Sequence, residues 1–103
     1  SGSRTHAIRD TAIDGITIKQ GDFLGMIDGK IVVSKTDALE VAFETLKQMM
    51  DEETEIVTII IGEEGTQEQA EQMEAALLAM NEELEVEIHH GDQPVYPYLF
   101  AAE

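Results

Sequence analysis

Glu55-Ile56-Val57-Thr58-Ile59-Ile60-Ile61-Gly62, continued by Glu63-Glu64-Gly65-Thr66-Gln67-Glu68-Gln69-Ala70, is the stretch on which the fold turns. Ile56, Val57, Ile59, Ile60 and Ile61 make a β-branched run too short for a helix and too apolar to be half exposed, so it reads as a central strand. Gly62 and Gly65 then bracket a turn, and Thr66 followed by Gln69 has the spacing of a capping box. Beyond it Ala70, Met73, Leu77, Met80 and Leu84 recur on one helical face, with Glu68, Glu71 and Glu74 on the side that faces water.

The pattern extends in both directions. Toward the C-terminus, Glu85 to His90 alternates Val86 and Ile88 with polar residues. Tyr98 to Ala102 is a last apolar strand, set apart by Gly91, Pro94 and Pro97. Because Pro97 lacks the N–H that a ladder needs, the 91–98 segment is expected at a sheet edge. Toward the N-terminus, Leu39, Ala42, Phe43, Leu46, Met49 and Met50 repeat at helical spacing, with Thr36 as the expected cap and Asp37 and Glu40 in the first turn.

Two Asp-Gly pairs precede that helix, Asp14-Gly15 and Asp28-Gly29. Each supplies the positive backbone angles of a tight hairpin turn. Counting outward sets Ile13 opposite Ile16, Thr11 opposite Ile18 and Asp10 opposite Lys19 in the first hairpin, and Met26 opposite Ile31 and Leu24 opposite Val33 in the second. Ser1-Gly2-Ser3 reads as a cloning scar, leaving 4–103 as one domain with no dividing linker. The fold class expected is α/β: antiparallel β-hairpins, forming a meander, lead into a β-α-β-α-β-β mixed sheet with two helices, its successive strands joined by right-handed crossovers.

Composition narrows the function. The chain has 103 residues, enough for one modest core, and no cysteine, which excludes disulfides, thiolate metal sites and thiol nucleophiles. The reducing cytoplasm is the expected compartment. No apolar run approaches the ~20 residues of a membrane helix. The formal charge of -16 opposes nucleic acid and anionic lipid as partners. That charge is uneven: all six basic residues lie within 1–47, while Gln48 to Glu103 holds fifteen acids and no Lys or Arg. Two readings stand, a solvated acidic surface and a field that steers a basic partner.

Motifs for nucleotides, dinucleotides, zinc and calcium do not occur, and no catalytic residue is assigned. Gly62-Glu63-Glu64-Gly65-Thr66 enters a helix N-terminus, but its two glutamates oppose phosphate, and a strand-to-helix turn is the favoured reading. His89-His90 has the chemistry for metal binding, proton transfer or phosphoryl carriage, yet neighbours on a strand point to opposite faces, so a structural role is favoured. The tail Gly91-Asp92-Gln93-Pro94-Val95-Tyr96-Pro97-Tyr98 combines two prolines, two tyrosines and an amide. Tyr96 and Tyr98 serve equally as docking anchors on a stiffened loop or as residues closing the core.

Taken together, Arg9-Asp10-Thr11 with Asp14-Gly15, Gly21-Asp22-Phe23-Leu24-Gly25 with Asp28-Gly29-Lys30, Glu55-Ile56-Val57-Thr58 and the 91–98 tail resemble the C-terminal domain of the FakA-type fatty acid kinase proteins, a bacterial, dihydroxyacetone-kinase-like, DegV-associated family. The family usually has Gly-Gly-Gln-Pro where this chain has Gly91-Asp92-Gln93-Pro94. The resemblance implies a larger multidomain kinase whose separate N-terminal domain holds ATP and Mg²⁺, with no cofactor and no metal in this domain. It also implies a DegV-like subunit that carries the fatty acid to be phosphorylated on its carboxylate. This domain would then be a non-catalytic docking module, with Gln93, Pro94, Tyr96, Tyr98, Glu68, Glu71 and Glu74 as the partner-binding residues. The alternative reading is a phosphocarrier or small-ligand regulatory domain using His89 or His90.

Overall fold

The computed structural model describes residues 2–6, 11–13 and 15–103. In chain order these form strands β1 (Gly2–His6), β2 (Thr11–Ile13), β3 (Ile16–Ile18), β4 (Phe23–Ile27) and β5 (Lys30–Lys35), helix α1 (Ala38–Met49), strand β6 (Ile56–Ile61), helix α2 (Gln67–Met80), and strands β7 (Glu85–His90) and β8 (Tyr98–Ala102). The fold is mixed α/β, with antiparallel hairpins, a mixed sheet and two helices. The main sheet runs in the order β5-β4-β1-β8-β6-β7, and β2 pairs with β3 in a sheet of its own. The expected meander is therefore divided between two sheets.

The β-branched run sits inside the main sheet, parallel to β7 and antiparallel to β8. It is central, as its composition requires, but its two faces differ. Val57, Ile59 and Ile61 are buried, whereas Ile56, Thr58 and Ile60 are half-buried. Both helices lie over the first face: Ala42 and Leu46 of α1 and Ala70, Met73 and Leu77 of α2 form one core with Val57, Ile59, Ile61, Tyr98 and Phe100. The other face is shielded only in part, which corrects the expectation of full burial.

β6, α2 and β7 make the expected parallel crossover unit. β5 and β6 also point the same way, following the alternation of directions across the sheet, but β4, β1 and β8 lie between them. Helix α1 therefore crosses most of the sheet, touching β4, β1, β5 and β8. Lys35 at the end of β5 holds Glu40 and Glu44 of α1 at 3.2 and 2.9 Å, and these two hydrogen bonds push its ammonium pKa above the ordinary lysine value.

Four expectations change. Residues 1–3 cannot be set aside from the fold: Gly2 pairs with Ile27 and Phe100, and Ser3 with Met26 and Leu99, so both belong to the strand that joins β4 to β8. Gly2 is buried, and a Cβ there would lie 2.5 Å from Met49 Sδ. Leu24 faces Ser34, with Val33 opposite Gly25, because the register shifts between Gly25 and Met26 although Met26 does face Ile31. An extra residue on one strand makes that shift, which no two-residue periodicity can anticipate. Asp37, rather than Thr36, caps α1, its carboxylate accepting from Leu39 N at 2.9 Å and Glu40 N at 3.3 Å. Finally, β8 is an interior strand, because Pro97 precedes its first residue and leaves the ladder intact.

The first hairpin has the expected register, Ile13 to Ile16 and Thr11 to Ile18. The Asp10–Lys19 pair and the motif residues Arg9, Asp10 and Asp14 lie outside the described residues.

Candidate functional site

Two loops meet at the C-terminal ends of β6 and β7, and their backbones are bonded together. Gly62 N donates to Pro97 O at 2.7 Å and Glu63 N to Gln93 O at 2.9 Å, while Gly91 N and Asp92 N both donate to Ile61 O. The approach is close enough to require glycine: a Cβ on Gly62 would run into Tyr96 O and lie 2.7 Å from Gln93 O. Gly65 N returns to Gly62 O at 3.0 Å. The donors of this glycine turn that are named here are thus spent within the protein, consistent with a strand-to-helix connection.

Tyr98 closes the turn from below. Its ring is fully buried and stacks with Phe100 at a centroid distance of 6.5 Å. Its hydroxyl accepts from Thr66 N at 2.8 Å and reaches Gln69 Oε1 at 2.7 Å and Thr66 O at 3.2 Å. Thr66 Oγ1 accepts from Gln69 N at 3.1 Å, so the first half of the capping box forms. Gln69, however, turns its side chain to Tyr98. Of the two readings left open for Tyr98, burial selects closure of the core, and it presents no surface for a partner.

Gln93 is also a strut. Its Nε2 donates to Ile60 O and Tyr96 O, both at 3.2 Å, tying the tail loop across to β6. Asp92, at the place where the family usually has glycine, holds φ +54, a left-handed conformation that Asp tolerates better than most residues. Pro94 is exposed and Tyr96 half-buried. Glu68 and Glu71 are exposed on α2 and Glu74 half-buried, so the acidic stripe is less uniformly wet than its spacing implies. Glu68 lies in the first turn, at the loop end of the sheet, and Glu74 is about 9 Å further along the helix.

The histidines diverge as strand neighbours must. His89 Nε2 lies 3.1 Å from Glu87 Oε1, and His90 Nε2 lies 2.8 Å from Gln67 Oε1 at the start of α2. Among the described residues no group of three or more His, Asp or Glu side chains is placed to hold a metal. Glu87 titrates below the usual carboxylate range because it bonds to His89 and to Glu85, while Glu85 is pushed up by sharing a hydrogen bond with that second carboxyl.

The residue that sequence reasoning passed over is Val95. Tyr96 N donates to Pro94 O at 2.8 Å, closing a γ-turn whose middle residue is Val95 at φ +71. This is the strained, positive-φ form of the turn, and a β-branched residue is a poor occupant of it. Val95 is also 68% exposed. An apolar residue is thus held in an unfavourable conformation and presented to solvent at the tip of a loop fixed by Gln93, Gly62 and Pro97. Nothing in the composition signals it, since valine is the residue a turn rule would place elsewhere.

The same chain pattern occurs within longer bacterial proteins, and the chain spans 19% of the length of each of the curated relatives named here. Protein YloV of Bacillus subtilis is 50% identical over 103 residues, which is 100% of this chain. Two uncharacterized proteins of Staphylococcus aureus strains are 46% and 44% identical over the same extent. A family model for the C-terminal part of FakA-like fatty acid kinase proteins matches residues 1–103. With that match along its whole length, the chain belongs to the FakA-like C-terminal family of fatty acid kinase domains.

Proposed function

We propose that this chain is the non-catalytic docking domain of a bacterial fatty acid kinase, engaging a DegV-like subunit that carries the fatty acid. A separate kinase domain of the same polypeptide, with ATP and Mg²⁺, would phosphorylate the acyl carboxylate. The family supports a place within such a kinase. The observation that carries the docking reading is Val95, exposed and strained on a loop whose backbone is otherwise braced. Strain of roughly 1–3 kcal/mol persists where surrounding structure enforces it, and such sites cluster where binding needs a preset shape. With the loop already ordered, little conformational entropy is lost on contact.

The contact surface is Pro94, Val95 and the exposed part of Tyr96, with Glu68 and Glu71 beside it as the electrostatic guide. Gln93 and Tyr98 act on it indirectly, by fixing the loop and the start of α2. The test is calorimetric titration of the DegV-like subunit into the parent chain and into Tyr96→Ala, with Glu68→Gln/Glu71→Gln measured by stopped-flow. Tyr96→Ala should weaken binding by about 2 kcal/mol, near thirtyfold. The glutamine pair should slow association and flatten its salt dependence while dissociation barely changes. Unchanged affinity in Tyr96→Ala, with the variant folded, would refute the assigned surface.

A further inference from the structure

At the opposite end of the sheet, where β6 and β7 begin, α1 and α2 both terminate beside an open cavity of about 340 Å³. Met50, Met80 and Leu84 supply its apolar lining, and Lys47, Asp51 and Glu52 its rim. Met80 is 50% exposed there, one of few large apolar side chains so placed among the described residues. A second cavity of about 480 Å³ shares Glu52 with the first and is bordered by Glu55, Glu83 and Glu85. One small apolar hole is therefore continuous with a strongly acidic trough.

The electrostatics of this end ask for a cation that the chain does not itself supply in sufficient number. Both helices direct their C-terminal, partly negative ends here. α1 has Lys47 in its last turn, but α2 has no basic residue in its own. Lys47 Nζ sits 5.3 Å from the Phe43 ring centroid. The walls are stiff: Asp51 accepts from Glu53 N at 2.8 Å, and Asn81 from Glu83 N at 3.0 Å. Within stiff walls the two methionines are adaptable, because an unbranched thioether reshapes itself around differing apolar partners.

We propose that this notch docks an amphipathic segment of a partner protein, which inserts one large apolar side chain between Met50 and Met80 and sets Lys or Arg residues against Glu52, Glu55, Glu83 and Glu85. Length favours a contact separate from the Pro94–Tyr96 tip: β6 alone sets the two ends about 17 Å apart. Binding at the notch does not depend on the docking role of the tip.

The probe is a short fluorescent peptide of Leu, Lys and Ala with two leucines at helical i, i+4 spacing, titrated into the whole chain at low salt. Saturable binding is expected, with the ε-methyl NMR signals of Met50 and Met80 shifting and that of Met26 unmoved. Met80→Ser leaves the net charge untouched, and at a half-exposed site it should spare the fold, verified by circular dichroism. It should weaken binding about tenfold, as should replacing the peptide leucines by serine. Equal binding of the serine peptide would overturn the proposal, since attraction to the general acidic field would then explain everything. So would absence of saturable binding, or sedimentation showing that the notch is covered by a second copy of the chain in a dimer that Met80→Ser dissolves.

Discussion

Replacing Val95 by glycine should stabilise the domain and weaken its docking at once, an unusual pairing that follows from the geometry of the tip. Val95 holds φ +71 and is 68% exposed, so it contributes strain and almost no packing. Positive-φ strain in a side-chain-bearing residue costs roughly 1–3 kcal/mol, while glycine loses about 0.5–1 kcal/mol more on folding through its freer unfolded chain. The balance is a gain of about 1 kcal/mol, which for a domain of this size raises Tm by about 5 °C. The Tyr96 N to Pro94 O bond survives, since glycine adopts the turn without penalty. Removing the isopropyl group deletes an apolar contact worth about 1.5 kcal/mol when covered, near tenfold in affinity. Thermal and urea unfolding measure the first effect, with the urea slope unchanged, and calorimetry with the DegV-like subunit measures the second. A fall in Tm would show that Val95 packs or that its backbone is relaxed. A rise in Tm with unaltered affinity would leave the strain real but detach it from docking.

Tyr98→Phe keeps the buried ring and removes the hydroxyl that accepts from Thr66 N, so urea unfolding should show a loss of about 2 kcal/mol, and a loss under half of that would mean the hydroxyl is dispensable. Gly62→Ala forces a methyl into Tyr96 O and Gln93 O and should cost about 2 kcal/mol or more, read as a lowered urea midpoint together with faster hydrogen exchange at Glu63 N. Asp37→Ala should cost about 1 kcal/mol as the true cap of α1, whereas Thr36→Ala should stay within about 0.5 kcal/mol; the reverse order would restore Thr36. Glu87, lowered by His89 and then by Glu85, contributes stability present above the ordinary carboxylate pKa and lost as pH falls through the lowered value. In His89→Gln its NMR titration should move up toward that ordinary value.

Local chemistry made much of the fold legible. The β-branched run of 56–61, the helical stripes of α1 and α2, the two Asp-Gly hairpins and the Thr66 cap are each written within a few residues, because secondary structure answers to short-range periodicity and turn sterics. What tertiary structure decided lies in contacts between residues far apart in the chain. Gly2 and Ser3 carry no local signal, yet they join β4 to β8, since strand partnership depends on which hydrophobic faces meet rather than on the strand's own composition. Pro97 argued for an edge, and the chain instead begins β8 one residue later, in the interior of the sheet. Tyr96 and Tyr98 were equivalent as residues two apart, but packing against Phe100 and the head of α2 buries Tyr98 and leaves Tyr96 at the surface. The tip at Val95 exists only because Gly62, Gln93 and Pro97 converge on one loop from separate elements and together hold a valine where, by itself, it would not stay.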